Sequence, residues 1–241
     1  MIKTITAALL SVGLATGAHA ATVAGSSSGV FTSETGGSTG LIGATDGAAI
    51  SADGKTLTWP GETCGILGCT TLTDQSTLTI NDVAFSKSTS VGNNEVTVGS
   101  LTWYNASSSS LLTPDLFTAV ANIGLNFTSP TGQVGSETLT FNINNTTNPT
   151  GDLIMASPTG ALDFGLAVPL NLGSGLTLTS FFAEEVGPGS LSGGTWSLGE
   201  GLTSTVMIKA NIAAIPLPAG GLLLLTGLGG LAALRRRKQA A

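Results

Sequence analysis

The sequence predicts an all-β domain, an antiparallel β-sandwich or jelly roll, placed between two terminal segments of a different kind. Short runs of alternating or β-branched residues recur along the middle of the chain. Clusters of Gly, Ser, Asn and Pro such as TSPTGQVGSE separate these runs, and no convincing amphipathic helix lies between the two ends. This combination is typical of sandwiches and jelly rolls. Residues 21–211, about 190 in all, are enough for one domain that buries about 70% of its unfolded surface.

Seven runs are predicted to be strands because they alternate or are rich in β-branched residues. They are Lys55 to Trp59, Ser76 to Ile80, Glu95 to Tyr104, Val120 to Thr128, Glu137 to Asn145, Leu176 to Phe182 and Ser204 to Ile212. Two of them place strictly alternating apolar residues on the predicted inner face, which are Ile123, Leu125 and Phe127, and Leu139, Phe141 and Ile143. In the third run the apolar parity changes at Gly99-Ser100, which predicts a bulge or bend there.

The first 20 residues have the features of a secretory signal peptide. Lys3 gives the positive start, Ile5 to Leu14 form a short apolar region, and Ala18-His19-Ala20 is an A-x-A site. Cleavage is therefore expected between Ala20 and Ala21. The alternative, an uncleaved terminal helix, is disfavoured because the apolar run is too short to span a bilayer.

The last 30 residues, 212–241, are predicted to be a sorting and anchoring segment. From Ile212 to Leu234 the chain carries no charge, and as one helix it would reach roughly 34 Å, against a hydrocarbon core of about 30 Å. Pro216 and Pro218 interrupt its first third, so the uninterrupted helix is Ala219 to Leu234. The basic cluster Arg235, Arg236, Arg237 and Lys238 follows at once and favours the cytoplasmic side, which leaves the bulk of the chain outside.

The run Ile215-Pro216-Leu217-Pro218-Ala219, the Leu/Gly helix and the basic cluster together resemble the PEP-CTERM class of carboxy-terminal sorting signals, in its VPLPA-type variant. Ile215 stands where that variant has Val. The resemblance implies a precursor held in the inner membrane of a Gram-negative bacterium until an exosortase-type membrane protease cuts near the proline motif. It also implies an association with the cell envelope and extracellular polysaccharide. A permanent membrane anchor is the alternative, since its topology would be the same.

Removing both ends leaves an acidic chain without histidine. All 14 acidic residues remain, but only Lys55, Lys87 and Lys209 of the basic ones do, and His19 leaves with the signal peptide. The acidic excess argues against a nucleic-acid partner. The lack of an imidazole excludes Ser-His-Asp and Cys-His systems and histidine-ligated zinc. The protein is therefore predicted not to be an enzyme, with paired carboxylates as the chemistry left open.

Carboxylates offer two candidate arrangements. Glu184 and Glu185 are adjacent in a predicted strand, so their side chains should point to opposite faces and do not make a catalytic pair. Loop carboxylates at Asp46, Asp53, Asp74 and Asp82 could hold calcium, but Asp46-Gly47 and Asp53-Gly54 are first of all turn dipeptides without an EF-hand ligand ladder. No cofactor is predicted, and calcium is the only ion left open.

The cysteines, Cys64 and Cys69, enclose a short loop in the segment CGILGC and are expected to form a disulfide in an oxidising periplasm. Such a small loop contributes only about 2 kcal/mol in the chain-entropy model, so the bridge would fix a local turn. A redox-active pair is the less favoured interpretation because the spacing is not C-x-x-C.

Aromatic residues are the candidates for glycan contact. Trp59, Trp103, Tyr104 and Trp196 could stack on sugar rings, as flat apolar surfaces do. Trp103 is assigned to the core, whereas Trp59 and Trp196 lie beside turn-rich segments and are kept as candidate glycan contacts.

The run EVTVGSLTWYNASSSS and the two strands that follow it are similar to the choice-of-anchor group of bacterial ectodomains, nearest to type K. That resemblance implies a β-rich ectodomain with an alternative anchoring tail and no defined activity. The leading hypothesis is an exported envelope or matrix protein with a structural or adhesive role linked to exopolysaccharide. A carbohydrate-binding module is the first alternative, and a carboxylate-dependent glycan-active enzyme is the second.

Overall fold

A computed structural model describes residues 21–36, 48–65, 68–107, 109–110, 115–146, 151–157 and 162–215. Strands dominate these ranges. They are β1 (Thr22–Gly36), β2 (Ala49–Ile50), β3 (Thr56–Gly65), β4 (Gly68–Asn81), β5 (Val83–Ser88), β6 (Gly92–Asn105), β7 (Ser109–Ser110), β8 (Asp115–Ser129), β9 (Gln133–Asn145), β10 (Asp152–Ser157), β11 (Leu170–Gly173), β12 (Leu176–Val186), β13 (Ser190–Ser192), β14 (Thr195–Leu198) and β15 (Leu202–Ala214).

The strands form two sheets. Sheet A has the order β13-β14-β10-β9-β8-β1-β5, and sheet B has the order β11-β12-β15-β6-β4-β3-β2. Neighbours along both orders are antiparallel, whereas the short β7 lies off this path and pairs with β3 in parallel. The described ranges contain no helix, and so none that is long and apolar enough to cross a membrane. The predicted all-β class is confirmed.

The two sheets face each other across one hydrophobic cluster. Trp59 of β3 meets Phe117 of β8 with ring centroids 5.4 Å apart, and Trp103 of β6 meets Trp196 of β14 at 5.3 Å. Each pair joins sheet B to sheet A in an edge-on contact, the geometry that aromatic rings favour in cores. The core therefore lies between the sheets, and the other face of each sheet is turned outward.

Strict alternation places the predicted core residues as expected. Leu139, Phe141 and Ile143 of β9 are buried, and so are Ile123, Leu125 and Phe127 of β8. The intervening Thr and Asn residues are exposed or half-buried on the outer face. The period of two in the sequence is thus the period of the pleat.

The predicted irregularity in β6 is present and begins one residue earlier. Ile208 of β15 pairs with Gly99, while Lys209 pairs with Thr97, so Val98 is an extra residue without a partner. Val98 and Gly99 are both buried. The bulge at Val98 therefore brings Val96, before it, and Leu101 and Trp103, after it, to the same inner face, where Val98 is also buried.

The carboxy-terminal boundary of the domain lies later than predicted. Strand β15 continues to Ala214, Ile212 is buried, and the Ile215 amide donates to the Gly175 carbonyl at 2.8 Å. The boundary between residues 211 and 212 is therefore three residues too early. The signal peptide, the motif Pro216 to Ala219, the apolar run to Leu234 and the basic cluster 235–238 lie outside the described residues.

Candidate functional site

The structure places the two candidate glycan-contacting tryptophans in the core. Trp59 is 2% exposed and packs on Phe117, and Trp196 is 4% exposed and packs edge-on against Trp103. Neither indole face is open to a sugar ring. The predicted glycan contacts are therefore wrong. Although turn-rich segments are nearby in the sequence, Trp59 belongs to β3 and Trp196 to β14, and both occupy inward-facing positions of these strands.

Glu184 and Glu185 point to opposite faces, as predicted. Glu184 pairs with Lys209 on the outer face of sheet B, and Lys209 also lies 3.6 Å from Glu95. Glu185 lies on the inner face, where its Oε1 accepts a hydrogen bond of 2.7 Å from Ser204 Oγ. The hydrogen bond with Glu184 is the main cause that raises the pKa of Lys209. The two glutamates do not form a catalytic pair.

The aspartates proposed for calcium are held by separate partners. Asp53 accepts from Ser51 Oγ at 2.5 Å and from the Lys55 amide at 3.0 Å, and these hydrogen bonds, the one from Ser51 first, lower its pKa. Asp82 pairs with Lys55 Nζ, and Asp74 accepts from Tyr104. Asp46 lies outside the described residues. Asp53, Asp74 and Asp82 therefore do not form a common calcium site.

The cysteines lie on a hairpin. Strands β3 and β4 pair from Thr56 to Gly65, and the register puts Cys64 directly opposite Cys69. The backbone of both cysteines is described, but their side chains are not. The disulfide bond itself therefore stays a prediction.

The outer face of sheet A is a regular array of polar side chains. We call it the neutral face and define it by the outward residues of β1, β8, β9 and β10. None of these described outward residues is charged, and most are Thr, Asn or Ser. The charged side chains described on these strands belong to Glu34, Glu137 and Asp152. Asp152 is buried, and the register pairs Glu34 and Glu137 with the buried Ala119 and Ile123, so all three are at inward positions.

Cross-strand hydrogen bonds order the centre of the neutral face. Thr138 Oγ1 donates to Asn122 Oδ1 at 2.7 Å, and Thr118 Oγ1 donates to Asn142 Oδ1 at 3.1 Å. Each pair sits at directly opposed positions of β8 and β9. Because the amide oxygens accept from threonine, the amide NH₂ groups are the donors that remain for a ligand hydroxyl. The spacing is about 4.8 Å across strands and about 7 Å along them.

The outer face of sheet B differs in charge. It carries the Glu184, Lys209 and Glu95 group and the Tyr104 hydrogen bond to Asp74 at 2.7 Å. That bond is the main cause that raises the pKa of the Tyr104 hydroxyl. An acidic domain thus has one neutral face and one charged face.

An apolar cavity of about 460 Å³ lies between the sheets, where β12 approaches the β13–β14 hairpin. Its lining includes Phe181 and Ala183 of β12 and Trp196 of β14. Trp196 Nε1 donates to Ser204 Oγ at 3.3 Å, which in turn donates to Glu185. The volume is in the range of small-molecule pockets, about 300–1,000 Å³, and the lining suits an apolar group.

No family model, no curated protein and no solved structure matches the chain.

Proposed function

We propose that the protein is an exported, exosortase-sorted envelope or extracellular-matrix protein of a Gram-negative bacterium. Its role is structural or adhesive, and it contacts exopolysaccharide through the neutral face. The observation that carries this proposal is the combination of an acidic domain with a broad outer face that is mostly Thr, Ser and Asn, includes a few exposed apolar residues such as Val134, and has no described charge.

The neutral face is suited to an uncharged, hydroxyl-rich polymer. Its ordered amide and hydroxyl groups can exchange hydrogen bonds with sugar hydroxyls, each worth about 0.5–1.5 kcal/mol net. Single contacts of that size are weak, so binding would depend on many contacts along a chain. The acidic groups elsewhere on the domain would keep the protein soluble and repel anionic polymers.

The ends of the domain support the sorting part of the proposal. Strand β1 begins one residue after the expected cleavage, and both the amide and the Oγ1 of Thr89 donate to the Ala21 carbonyl. At the other end, β15 stops two residues before Pro216. The two facing sheets are in keeping with a sandwich, and we place a signal peptide before it and a single transmembrane helix after it. Inner membrane and exosortase are then processing partners, and the mature domain is displayed or released outside.

The test is binding of the purified domain to neutral and anionic polysaccharides, measured by affinity electrophoresis. Asn122→Asp combined with Asn142→Asp adds two charges to the neutral face at nearly constant shape. We expect this variant to lose retardation by neutral polymers. Asn93→Asp, at an exposed position of β6 in sheet B, adds a single charge away from the neutral face; it is the control and should bind normally.

Equal binding by all variants would reject the neutral face as the contact surface. Saturable binding of one short oligosaccharide would instead assign the chain as a carbohydrate-binding module. Turnover of a polysaccharide, lost on a single Asp or Glu substitution, would assign it as a glycan-active enzyme.

A further inference from the structure

A second cluster of polar side chains lies inside the domain, at the end of sheet A where β9 stops and β10 starts. Leu153 pairs with Asn144 in antiparallel register, so the next pair along the strands is Asp152 and Asn145. Both residues continue the inward alternation of their strands, and they are 1% and 6% exposed. Directly opposed Cβ atoms are about 4.5–5.5 Å apart. A carboxylate and an amide thus meet in the interior.

Glu200 joins this cluster from the other side of β10. Asp152 pairs with Leu198 of β14, and the turn after Leu198 carries Glu200. Asn105 of sheet B fixes this turn, because its Nδ2 donates to the Leu198 carbonyl at 2.9 Å and its carbonyl accepts from the Gly201 amide at 2.7 Å. The turn therefore holds Glu200 two residues after Leu198, the β14 partner of Asp152.

The hydrogen-bond donors around Asp152 serve only one of its oxygens. The Thr146 amide donates to Oδ1 at 2.6 Å, and Thr146 Oγ1 lies 3.2 Å from the same atom. Asp152 Oδ2 and Asn145 Oδ1 are both buried and have no hydrogen-bond partner among the described residues. A buried acceptor without a donor is costly, so two of them in neighbouring side chains point to a missing electrophilic partner.

No cationic side chain in the described part of the chain pairs with this cluster. Between the two terminal segments the basic residues are Lys55, Lys87 and Lys209. Lys55 pairs with Asp82, Lys87 Nζ donates to the Glu95 carbonyl at 2.7 Å, and Lys209 pairs with Glu184 and Glu95. The neutralising charge must come from a proton or from a bound ion.

We propose that Asp152, Glu200 and Asn145 form a Ca²⁺-binding site. Two carboxylates and an amide oxygen are hard ligands of the kind that Ca²⁺ takes, and water can complete its 6–8 positions. Among the described residues no three His, Cys, Asp or Glu side chains group as metal ligands, so the amide of Asn145 is an essential member. Asp115 occupies the β8 register position opposite Asn145 and places a further acidic residue at this end of the sheet.

The site is tested by calcium titration of the full exported protein by calorimetry and by thermal unfolding. Extracellular calcium modules bind at about 10⁻⁴ to 10⁻³ M, so CaCl₂ is varied from about 0.1 to 10 mM, with MgCl₂ in a parallel series. At about pH 8 we expect Ca²⁺ to raise Tm by about 5 °C or more. Chelator should reverse the shift, and Mg²⁺ should give a smaller one.

The variants are Asp152→Asn and Asn145→Ala, with Asp74→Asn as a control that removes an exposed carboxylate of sheet B. Circular dichroism verifies that each one folds. We expect the first two variants to bind Ca²⁺ at least tenfold more weakly and to lose the calcium-dependent rise in Tm. The control should keep both. A wild-type protein that shows no heat of binding and no Tm shift overturns the proposal, and so does an equal shift in Asp152→Asn. A stability that depends on pH but not on Ca²⁺ also overturns it, since a proton then neutralises the pair.

Discussion

At the scale of residues, the burial of the Asp152 carboxyl predicts how the stability of the protein depends on pH. The folded pKa of Asp152 is about 7 against an ordinary 3.8, chiefly because burial disfavours its charged form. Between these two values the folded protein holds a proton that the unfolded chain has released. Stability is therefore lost as pH rises from about 4 to about 7, by on the order of 4 kcal/mol at 1.36 kcal/mol for each pKa unit.

Asp152→Asn removes this titration while it keeps the shape of the side chain. In chelator, we expect the variant to be as stable as the wild type at about pH 4 and more stable by a few kcal/mol at about pH 8. Urea denaturation across this pH range measures the difference. Asp74→Asn should follow the wild-type curve. Parallel curves for the wild type and Asp152→Asn would show that Asp152 does not titrate as stated.

The tryptophans show how residue-level inference from composition can fail. Trp59 and Trp196 are next to Gly- and Pro-containing segments in the sequence, which left their exposure undecided. Their positions follow from strand parity instead, since Leu57 and Trp59 share one inward face of β3 and Trp196 and Leu198 share one inward face of β14. Parity, applied to these short runs, would have placed both indoles in the core.

At the scale of elements, the strands with clean alternation could be predicted and the others could not. Strands β8 and β9 alternate through their buried halves, and the parity change in β6 signals its bulge. Strand β1 is rich in Gly and Ser and was not predicted. A Cβ at Gly25 would collide with the Asn126 carbonyl and come within 2.6 Å of the Phe85 ring. Small residues are needed there because neighbouring strands approach closely, and a single sequence does not reveal that proximity.

The candidate site was harder to predict for a similar reason. The Asp152 cluster depends on the register between β9 and β10, which are close in the chain, and on the turn after β14, which is remote from both. Asp152 itself follows a glycine and looks like an ordinary turn residue. The neutral face depends likewise on which strands are neighbours, because each strand by itself shows only a common polar outer side.

The hairpin of β3 and β4 makes a definite expectation about the cysteines. Directly opposed residues of antiparallel strands have Cα atoms about 4.5–5.5 Å apart, which is within the disulfide range of about 4.4–6.8 Å. Because Cys64 and Cys69 are such a pair, we expect neither thiol to react with iodoacetamide in the exported protein before reduction and both to react after it.

The matched control for the cysteines is the same chain without residues 1–20, made in a reducing cytoplasm, where both thiols should react at once. Replacing both cysteines by serine should lower the free energy of unfolding by about 2 kcal/mol, since the enclosed loop is small. Alkylation of the unreduced exported protein would show that the bond does not form.

At the scale of the whole molecule, the limits of the two sheets lie close to the two expected processing sites. The sheets use the chain from Thr22 to Ala214, and Ala21 and Ile215 are still held by backbone hydrogen bonds. The expected signal cleavage and the proline motif both fall just outside these limits. Processing at either end would therefore remove no strand, which is what a sorting pathway that preserves a folded ectodomain requires.

The proposed sorting makes its own prediction about mass. We expect the mature protein in the medium to begin at Ala21 and to end near Pro218, with or without an added group, because cleavage there releases the domain intact. A membrane fraction should hold the longer form that still ends at Ala241. Intact-mass spectrometry of both fractions measures this, and a Pro216→Ala, Pro218→Ala variant should accumulate in the membrane form. A mass from Ala21 to Ala241 in every fraction would instead identify the tail as a permanent anchor.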